Sequence, residues 1–176
     1  LCNTSVFTLG ATVPVVGAGQ WSYVSGAAVT ITNTNSATTT VTGLTAGSSV
    51  TLRWTVSNGP VCAALTSDVT LTNDVLPVAD AGTGGNVCGI GVANSFVLSG
   101  SPTVGTGTWT KFSGPGAETF TNANLSTSSV SVDAYGSYVF RWTEVNGTCS
   151  SFDDVTVVFW EAPSASVAGA NQALCN

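Results

Sequence analysis

The sequence repeats itself with a period of 86 to 88 residues, and this repeat limits the possible folds more than any other feature. Arg53-Trp54-Thr55 returns 88 positions later as Arg141-Trp142-Thr143, and Asp68-Val69-Thr70 returns 86 positions later as Asp154-Val155-Thr156. Loop insertions and deletions produce small changes of offset of this kind. A long period with several matched positions predicts tandem modules.

Short links that contain proline mark the module boundaries. We expect a first module over residues 1–77, a second over 78–163 and the start of a third over 164–176. If the residues after each proline form the first strand of the next module, the first module lacks that strand. The chain starts with Leu rather than Met, so we expect it to be an internal piece of a longer protein.

Within each module the sequence has the alternation of β-strands. Tyr138, Phe140, Trp142 and Glu144 are expected to face one way, with the residues between them facing the other. Six or seven such runs per module, separated by Gly, Asn, Pro and Ser, predict an all-β chain. The expected fold is a pair of immunoglobulin-like β-sandwich modules with about seven strands each, arranged end to end.

Tryptophan and arginine recur at matched positions of the two modules. A core role is predicted for the tryptophan pairs, because a ligand platform need not recur in both modules. The arginines are expected to pair with carboxylates or to cover apolar surface. These residues are Trp21, Trp54, Trp109, Trp142, Arg53 and Arg141.

The low charge of the chain excludes several classes of function. Charged residues make up 7% of the sequence, the net charge is −6, and three residues are basic. Without a basic patch, neither nucleic acid nor an anionic membrane surface is an expected partner. No apolar run approaches the roughly 20 residues that span a bilayer, so membrane insertion is not expected. Histidine is absent, and we expect no catalysis and no cofactor.

The five cysteines recur in register and none forms a CxxC pair, which predicts one disulfide per module outside the cytosol. Two pairings fit the period. One joins Cys2 to Cys62 and Cys88 to Cys149 within modules, and the other joins Cys62 to Cys88 and Cys149 to Cys175 across the boundary. We expect the first, because Cys62 and Cys149 follow an Asn-Gly turn at the end of the sandwich where the chain enters. Cys175 then pairs with the next repeat.

Few other residues suggest a site. Asp153 and Asp154 form the one adjacent carboxylate pair and are weak calcium candidates, and a solvated strand start is the explanation that we favour for them. Trp160 has no aromatic counterpart in the first module. It is therefore the aromatic residue that we expect to contact a ligand or a neighbouring module.

Several segments carry a family likeness. Pro77–Gly82, Phe96–Gly100, Gly107–Pro115 and Gly136–Thr143 resemble PKD-like modules. In this respect the chain is similar to the immunoglobulin-like tandem repeats of very large secreted surface proteins of Bacteroidota, many of them exported by the type IX system. The resemblance implies an extracellular adhesin, a gliding filament or the spacer stalk of a secreted enzyme.

We therefore expect a structural repeat segment of a long extracellular cell-surface fibre or adhesin. Its expected partners are the neighbouring repeats of the same chain, with other copies of the filament or surface glycans as further candidates. The alternative is a glycan- or protein-binding module of a secreted multidomain protein. Exposed aromatic side chains grouped on one face would favour that alternative.

Overall fold

The computed structural model describes residues 1–169 and 171–172, and the described chain is all-β. It contains thirteen strands and one turn of 3-10 helix, at Val92–Asn94. No described helix is long and apolar enough to cross a membrane.

The chain forms two compact units. Unit 1 consists of Leu1–Asp80, Pro102–Gly107 and Thr143–Phe152, and unit 2 consists of Ala81–Ser101, Thr108–Trp142 and the residues from Asp153 onward. Unit 1 therefore contains residues from both sequence repeats. The module boundaries expected after residues 77 and 163 stay predictions.

The first six strands form two three-stranded antiparallel sheets, with the orders β1-β4-β3 and β2-β5-β6. The strands are β1 (Val6–Gly10), β2 (Ala18–Gly26), β3 (Thr30–Ile31), β4 (Thr38–Thr42), β5 (Ser48–Ser57) and β6 (Leu65–Asn73). Lettered B to G in chain order, the two sheets are B-E-D and C-F-G. This is the strand order of an immunoglobulin-like sandwich without strand A.

Side chains of both these sheets meet in one core. Phe7, Leu9 and Val41 come from the first sheet, and Leu52 and Trp54 from the second. Burial alternates along β5 because successive side chains of a strand point to opposite faces of the sheet. Each fully buried Leu or Val contributes roughly 1.5–3 kcal/mol to stability.

The remaining strands form a three-stranded sheet, β10-β11-β8, and a four-stranded sheet, β7-β13-β12-β9. They are β7 (Gly85–Cys88), β8 (Phe96–Val97), β9 (Thr106–Ser113), β10 (Glu118–Phe120), β11 (Ser129–Val132), β12 (Gly136–Asn146) and β13 (Cys149–Trp160). Strand β7 runs parallel to β13, with Cys88 opposite Trp160. With β7 as strand A, the order is again immunoglobulin-like, which confirms the predicted all-β, immunoglobulin-like fold class. The end-to-end arrangement of two modules stays a prediction.

Strand β12 confirms the predicted alternation. Tyr138, Phe140, Trp142 and Glu144 are all buried on one face. Glu144 is a carboxylate in an apolar row, and it accepts hydrogen bonds from the backbone nitrogen and the hydroxyl of Thr103, both at 3.0 Å. These donors offset the cost of burying a polar group.

The tryptophan pairs lie in the core, as predicted, and have the same geometry in both repeats. Trp21 and Trp54 have ring centroids 5.1 Å apart, and so do Trp109 and Trp142. The indole nitrogens of Trp21 and Trp109 each donate to a serine carbonyl oxygen at 3.1 Å. Each sequence repeat therefore has its own tryptophan pair at the centre of its core, and the two pairs are packed alike.

Candidate functional site

A disulfide inside unit 1 joins the two sequence repeats. It links Cys2 with Cys149, whose Cα atoms are 5.0 Å apart and whose positions in the chain differ by 147 residues. Both residues belong to unit 1. The bond therefore crosses the sequence boundary without leaving one compact unit.

Asp74 fixes the turn that carries Cys149. This turn, Asn146–Cys149, is named here the repeat-2 turn. The backbone nitrogen and the hydroxyl of Thr148 donate to the Asp74 carboxylate at 3.0 Å and 3.2 Å, and the Asn146 side chain donates to the Val75 carbonyl oxygen at 2.9 Å. Gly147 has φ +57°, and a Cβ there would collide with the Asp74 carboxylate. Glycine therefore fits this turn without displacing the Asp74 carboxylate.

Backbone pairing and one buried amide hold Cys2 in place. Cys2 forms a parallel bridge with Asp74, and the Asn3 nitrogen donates to the Asp74 carbonyl oxygen at 3.0 Å. The buried Asn73 side chain donates to the carbonyl oxygens of Thr4 and Leu44, both at 2.8 Å. These bonds tie the segment before β1 to the end of β6.

The expected pairing of Cys2 with Cys62 and of Cys88 with Cys149 is wrong for this structure. Strand β7 pairs with the far end of β13, so Cys88 lies opposite Trp160, eleven residues beyond Cys149. Eleven residues of strand span about 36 Å, whereas bonded cysteines have Cα atoms at most about 7 Å apart. Likewise, Cys2 lies at the end of β6, while Cys62 precedes the start of that strand.

Among the described residues, Cys62 and Cys88 are exposed and form no disulfide. The pairing of Cys62 with Cys88 is therefore not made either. Cys175 lies outside the described residues, so its expected bond with a further repeat stays a prediction.

Unit 1 also contains an open groove of about 640 Å³. It runs between the segment that follows β1 and the outer edge of β6, and it reaches the tryptophan pair. Most of its lining is apolar, including Val13, Val15, Trp54 and Leu65. The buried indole nitrogen of Trp54 has no hydrogen-bond partner among the described residues. This groove has the concave, mostly apolar lining that ligand sites share.

The second repeat covers the corresponding place with its own chain. The backbone nitrogen of Ala79 donates to the Ser151 hydroxyl, and that of Ala81 donates to the Asp153 carboxylate, both at 2.9 Å. With the offset of 86 residues, Ser151 and Asp153 correspond to Leu65 and Ser67, which line the unit 1 groove. The segment 79–84 therefore lies where, in the first repeat, the groove is open.

The calcium candidates have other partners. Asp153 accepts the hydrogen bond from Ala81, and Asp154 binds the Arg141 guanidinium through both carboxylate oxygens, at 2.8 Å and 2.9 Å. The described residues contain no group of three or more His, Cys, Asp or Glu that could hold a metal ion. Trp160 is 59% exposed, and its indole nitrogen donates to Asn86 at 2.8 Å. A ligand contact at Trp160 stays a prediction.

The arginine prediction is confirmed. Arg53 binds Asp68 at 2.7 Å and 2.8 Å, in the same two-pronged way as Arg141 binds Asp154. The hydrogen bonds from each guanidinium hold the pKa of its aspartate below the ordinary range. Arg141 also lies over the Phe112 ring, 4.2 Å from its centroid.

Sequence reasoning did not single out Asp74, Asn73 or Thr148. Asn146-Gly147 stood out as a turn, but its partner was not visible in the sequence. One signal was available: the apolar alternation of β6 ends in Asn73-Asp74, while β13 continues with Phe159-Trp160. A change from apolar to polar at matched positions indicates that these positions have different surroundings.

Comparisons with known proteins give neither a family model nor a curated protein that matches the chain. Several solved structures are similar to it. The PKD domain from KIAA 1837 protein is 28% identical over 50% of this chain and 92% of its own, with a TM-score of 0.42. Fibronectin(III)-like modules of Clostridium thermocellum CbhA are 12% identical over 97% and 93% of the two chains, with a TM-score of 0.47. The protocadherin GammaB4 extracellular domain is 16% identical over 82% of this chain and 28% of its own, with a TM-score of 0.36.

Proposed function

We propose that this chain is a structural repeat segment of a long extracellular cell-surface fibre or adhesin, and that it carries no catalysis. Residues 1–77 and 78–163 are the two modules in this proposal, and a third begins at 164. The observation that carries it is the Cys2–Cys149 disulfide with the Asp74 contacts around it. A covalent bond across the sequence boundary serves a chain whose repeats must stay together.

Two further features support this function. The link between the repeats is short and contains Pro77, and short proline links favour extension over free hinging. Disulfides persist in oxidising compartments, which supports an extracellular location. Neighbouring repeats of the same chain are the first partners, and other copies of the filament are the second.

The sequence resemblance extends the proposal to its biological setting. The PKD-like segments around Trp109 and Trp142 support a surface protein of Bacteroidota that is exported by the type IX system. Adhesion and gliding are the functions of such a fibre.

The unit 1 groove fits the same proposal. In the second repeat the segment 79–84 lies over Ser151 and Asp153. In an array, the equivalent segment at the start of the same repeat lies over Leu65 and Ser67 in the groove. The groove is then closed by the segment that enters the repeat from the link with the preceding one.

A fused chain tests the fibre. Leu1-Cys2-Asn3 returns as Leu174-Cys175-Asn176, 173 positions later, so residues 1–173 can be joined directly to residues 1–176 without changing the local sequence. We expect small-angle scattering to show a maximum dimension that grows linearly from one copy to two and to three. A compact particle, or the broad distance distribution of a freely hinged chain, would contradict the proposal.

The groove also favours the alternative, a glycan- or protein-binding module. Tryptophan rings and an unpartnered indole N–H are common features of ligand sites. Titration of the single chain with a glycan panel, followed by tryptophan fluorescence, separates the two functions. Saturable binding that Trp54→Phe weakens, while Trp109→Phe leaves it unchanged, supports the alternative. Protection of the groove in the fused chain supports the fibre.

A further inference from the structure

Cys88 occupies in the second repeat the place that Cys2 occupies in the first. Each lies in a segment parallel to the last strand of its repeat: Cys2 is opposite Asp74, and Cys88 is opposite Trp160. In both cases the backbone nitrogen of the residue after the cysteine donates to the carbonyl oxygen of the residue opposite the cysteine. Asn3 donates to Asp74 at 3.0 Å, and Gly89 donates to Trp160 at 2.9 Å. Cys88 therefore stands where a cysteine is already known to form a disulfide.

Cys62 is in the same way the counterpart of Cys149. Each cysteine follows an Asn-Gly pair at the turn between the last two strands of its repeat. Cys149 is buried and bonded, while Cys62 is exposed and unbonded. The turn that carries Cys62, residues 58–62, is named here the repeat-1 turn. It has one residue more than the repeat-2 turn.

We propose that each repeat boundary of the array is closed by a disulfide of the Cys2–Cys149 kind. Cys88 bonds the second cysteine of the following repeat, and Cys62 bonds the first cysteine of the preceding repeat. This inference rests on the proposed array. In the fused chain, Cys88 of the first copy and Cys62 of the second are 147 residues apart, the same separation as between Cys2 and Cys149.

The residues around the proposed bond are complementary. At the observed boundary a polar residue meets a polar residue, because Asp74 accepts hydrogen bonds from Thr148. At the proposed boundary Trp160 takes the place of Asp74, and Val61 takes the place of Thr148. Trp160 is 59% exposed and Val61 is 94% exposed. Joining them buries two large apolar side chains, a favourable exchange with water.

The chemistry is an ordinary thiol oxidation. The Sγ atoms of Cys88 and Cys62 form one S–S bond and lose two protons and two electrons. Glutathione disulfide accepts them and leaves as two molecules of glutathione. A thiol–disulfide exchange protein of the oxidising compartment does the same in the cell.

A fused chain with six cysteines tests the bond directly. It carries Cys62→Ser in the first copy, and Cys88→Ser and Cys175→Ser in the second. After refolding in a glutathione redox buffer we expect three disulfides and no alkylatable thiol. Peptide mapping without reductant should find Cys88 joined to Cys62 of the second copy. Two alkylatable thiols per chain, or Cys88 bonded to another cysteine, would overturn the proposal.

Two controls accompany this experiment, one for the partner of Cys88 and one for correct folding. A further Cys62→Ser in the second copy leaves Cys88 without a partner, and one thiol per chain should then react. The Cys2–Cys149 peptide within each copy serves as the internal reference for folding. The scattering measurement is separate: a hinged particle that nevertheless contains the Cys88 bond refutes the fibre but not the disulfide, and an extended particle with two free thiols does the reverse.

Discussion

The two turns that precede the last strand of each repeat have similar sequences and different surroundings. The repeat-2 turn is locked by a disulfide and by hydrogen bonds to Asp74, and Cys149 is buried. The repeat-1 turn is exposed at Val61 and Cys62. The difference shows that contacts made at the ends of a repeat, rather than its core, decide whether the residues of this turn are buried.

The cores support this conclusion because they hardly differ. Both repeats have a tilted tryptophan pair, an indole bond to a serine carbonyl and a two-pronged Arg–Asp bridge. The differences lie at the boundary turns and at the segment beside the last strand. Repeats of this kind keep the same core contacts and differ in the contacts that their ends make.

The largest effect is expected from removing a core tryptophan. Trp142→Ala should lower the free energy of unfolding by about 3–5 kcal/mol, as large-to-small core changes do. Trp54→Ala should cost less, because the groove already gives solvent access to that site. Denaturant unfolding followed by circular dichroism measures both. Equal costs would mean that the groove does not loosen the first core.

Loss of the disulfide should come next. Cys149→Ser removes the bond and should cost about 2–4 kcal/mol, because the unfolded chain regains freedom. Cys62→Ser is the matched control and should change stability little, since Cys62 is exposed and unbonded. Thermal melting with and without reductant checks this: the melting temperature of the Cys149→Ser chain should not respond to reductant.

The two turn glycines give a narrower contrast. Gly59 and Gly147 have φ +70° and +57°, so an alanine at either position costs about 1 kcal/mol of backbone strain. At Gly59 a Cβ meets nothing within 4 Å, but at Gly147 it collides with Asp74. We therefore expect Gly147→Ala to cost roughly 1–2 kcal/mol more than Gly59→Ala, through lost hydrogen bonds to Asp74. Equal losses in denaturant unfolding would show that the Asp74 contact adds nothing.

The smallest effect concerns pH. Hydrogen bonds from Arg53 and Arg141 lower the pKa of Asp68 and Asp154. The contribution of the two Arg–Asp pairs to stability is therefore complete above the ordinary carboxyl pKa, near 4. It is lost as the pH falls through the lowered pKa values of the two aspartates. Asp154→Asn should reduce the loss of stability between neutral and acidic pH more than Asp68→Asn does. The reason is that the Arg141–Asp154 pair is less exposed and that Arg141 also packs on Phe112. Melting temperatures between pH 2 and 5 test this order.

Much of the fold follows from local pattern. Alternation predicted β12 and its buried face because side chains of a strand alternate strictly. The matched tryptophans and arginines were predicted from their recurrence, since residues that recur in both repeats serve what the repeats share. Their contacts are formed within one repeat.

The disulfide could not be predicted in this way. A period of about 87 residues shows which cysteines are equivalent, but not which repeat supplies the partner of each. That choice depends on β7 running parallel to β13, which places Cys88 beside Trp160 and far along the strand from Cys149. The contact between Asp74 and Thr148 was missed for the same reason, because its two residues come from different repeats and neither one reveals the other.

The parallel pairing of β7 with β13 has a consequence for a chain under tension. These are the first and last strands of unit 2, and four residue pairs hold them in register, from Gly85 with Val157 to Cys88 with Trp160. Pulling the ends of the unit apart slides the two strands along each other, so their hydrogen bonds are loaded in shear and must break together. In an antiparallel hairpin pulled at its two ends, the hydrogen bonds would instead break one after another. This pairing therefore opposes a stretching force applied at the two ends of unit 2.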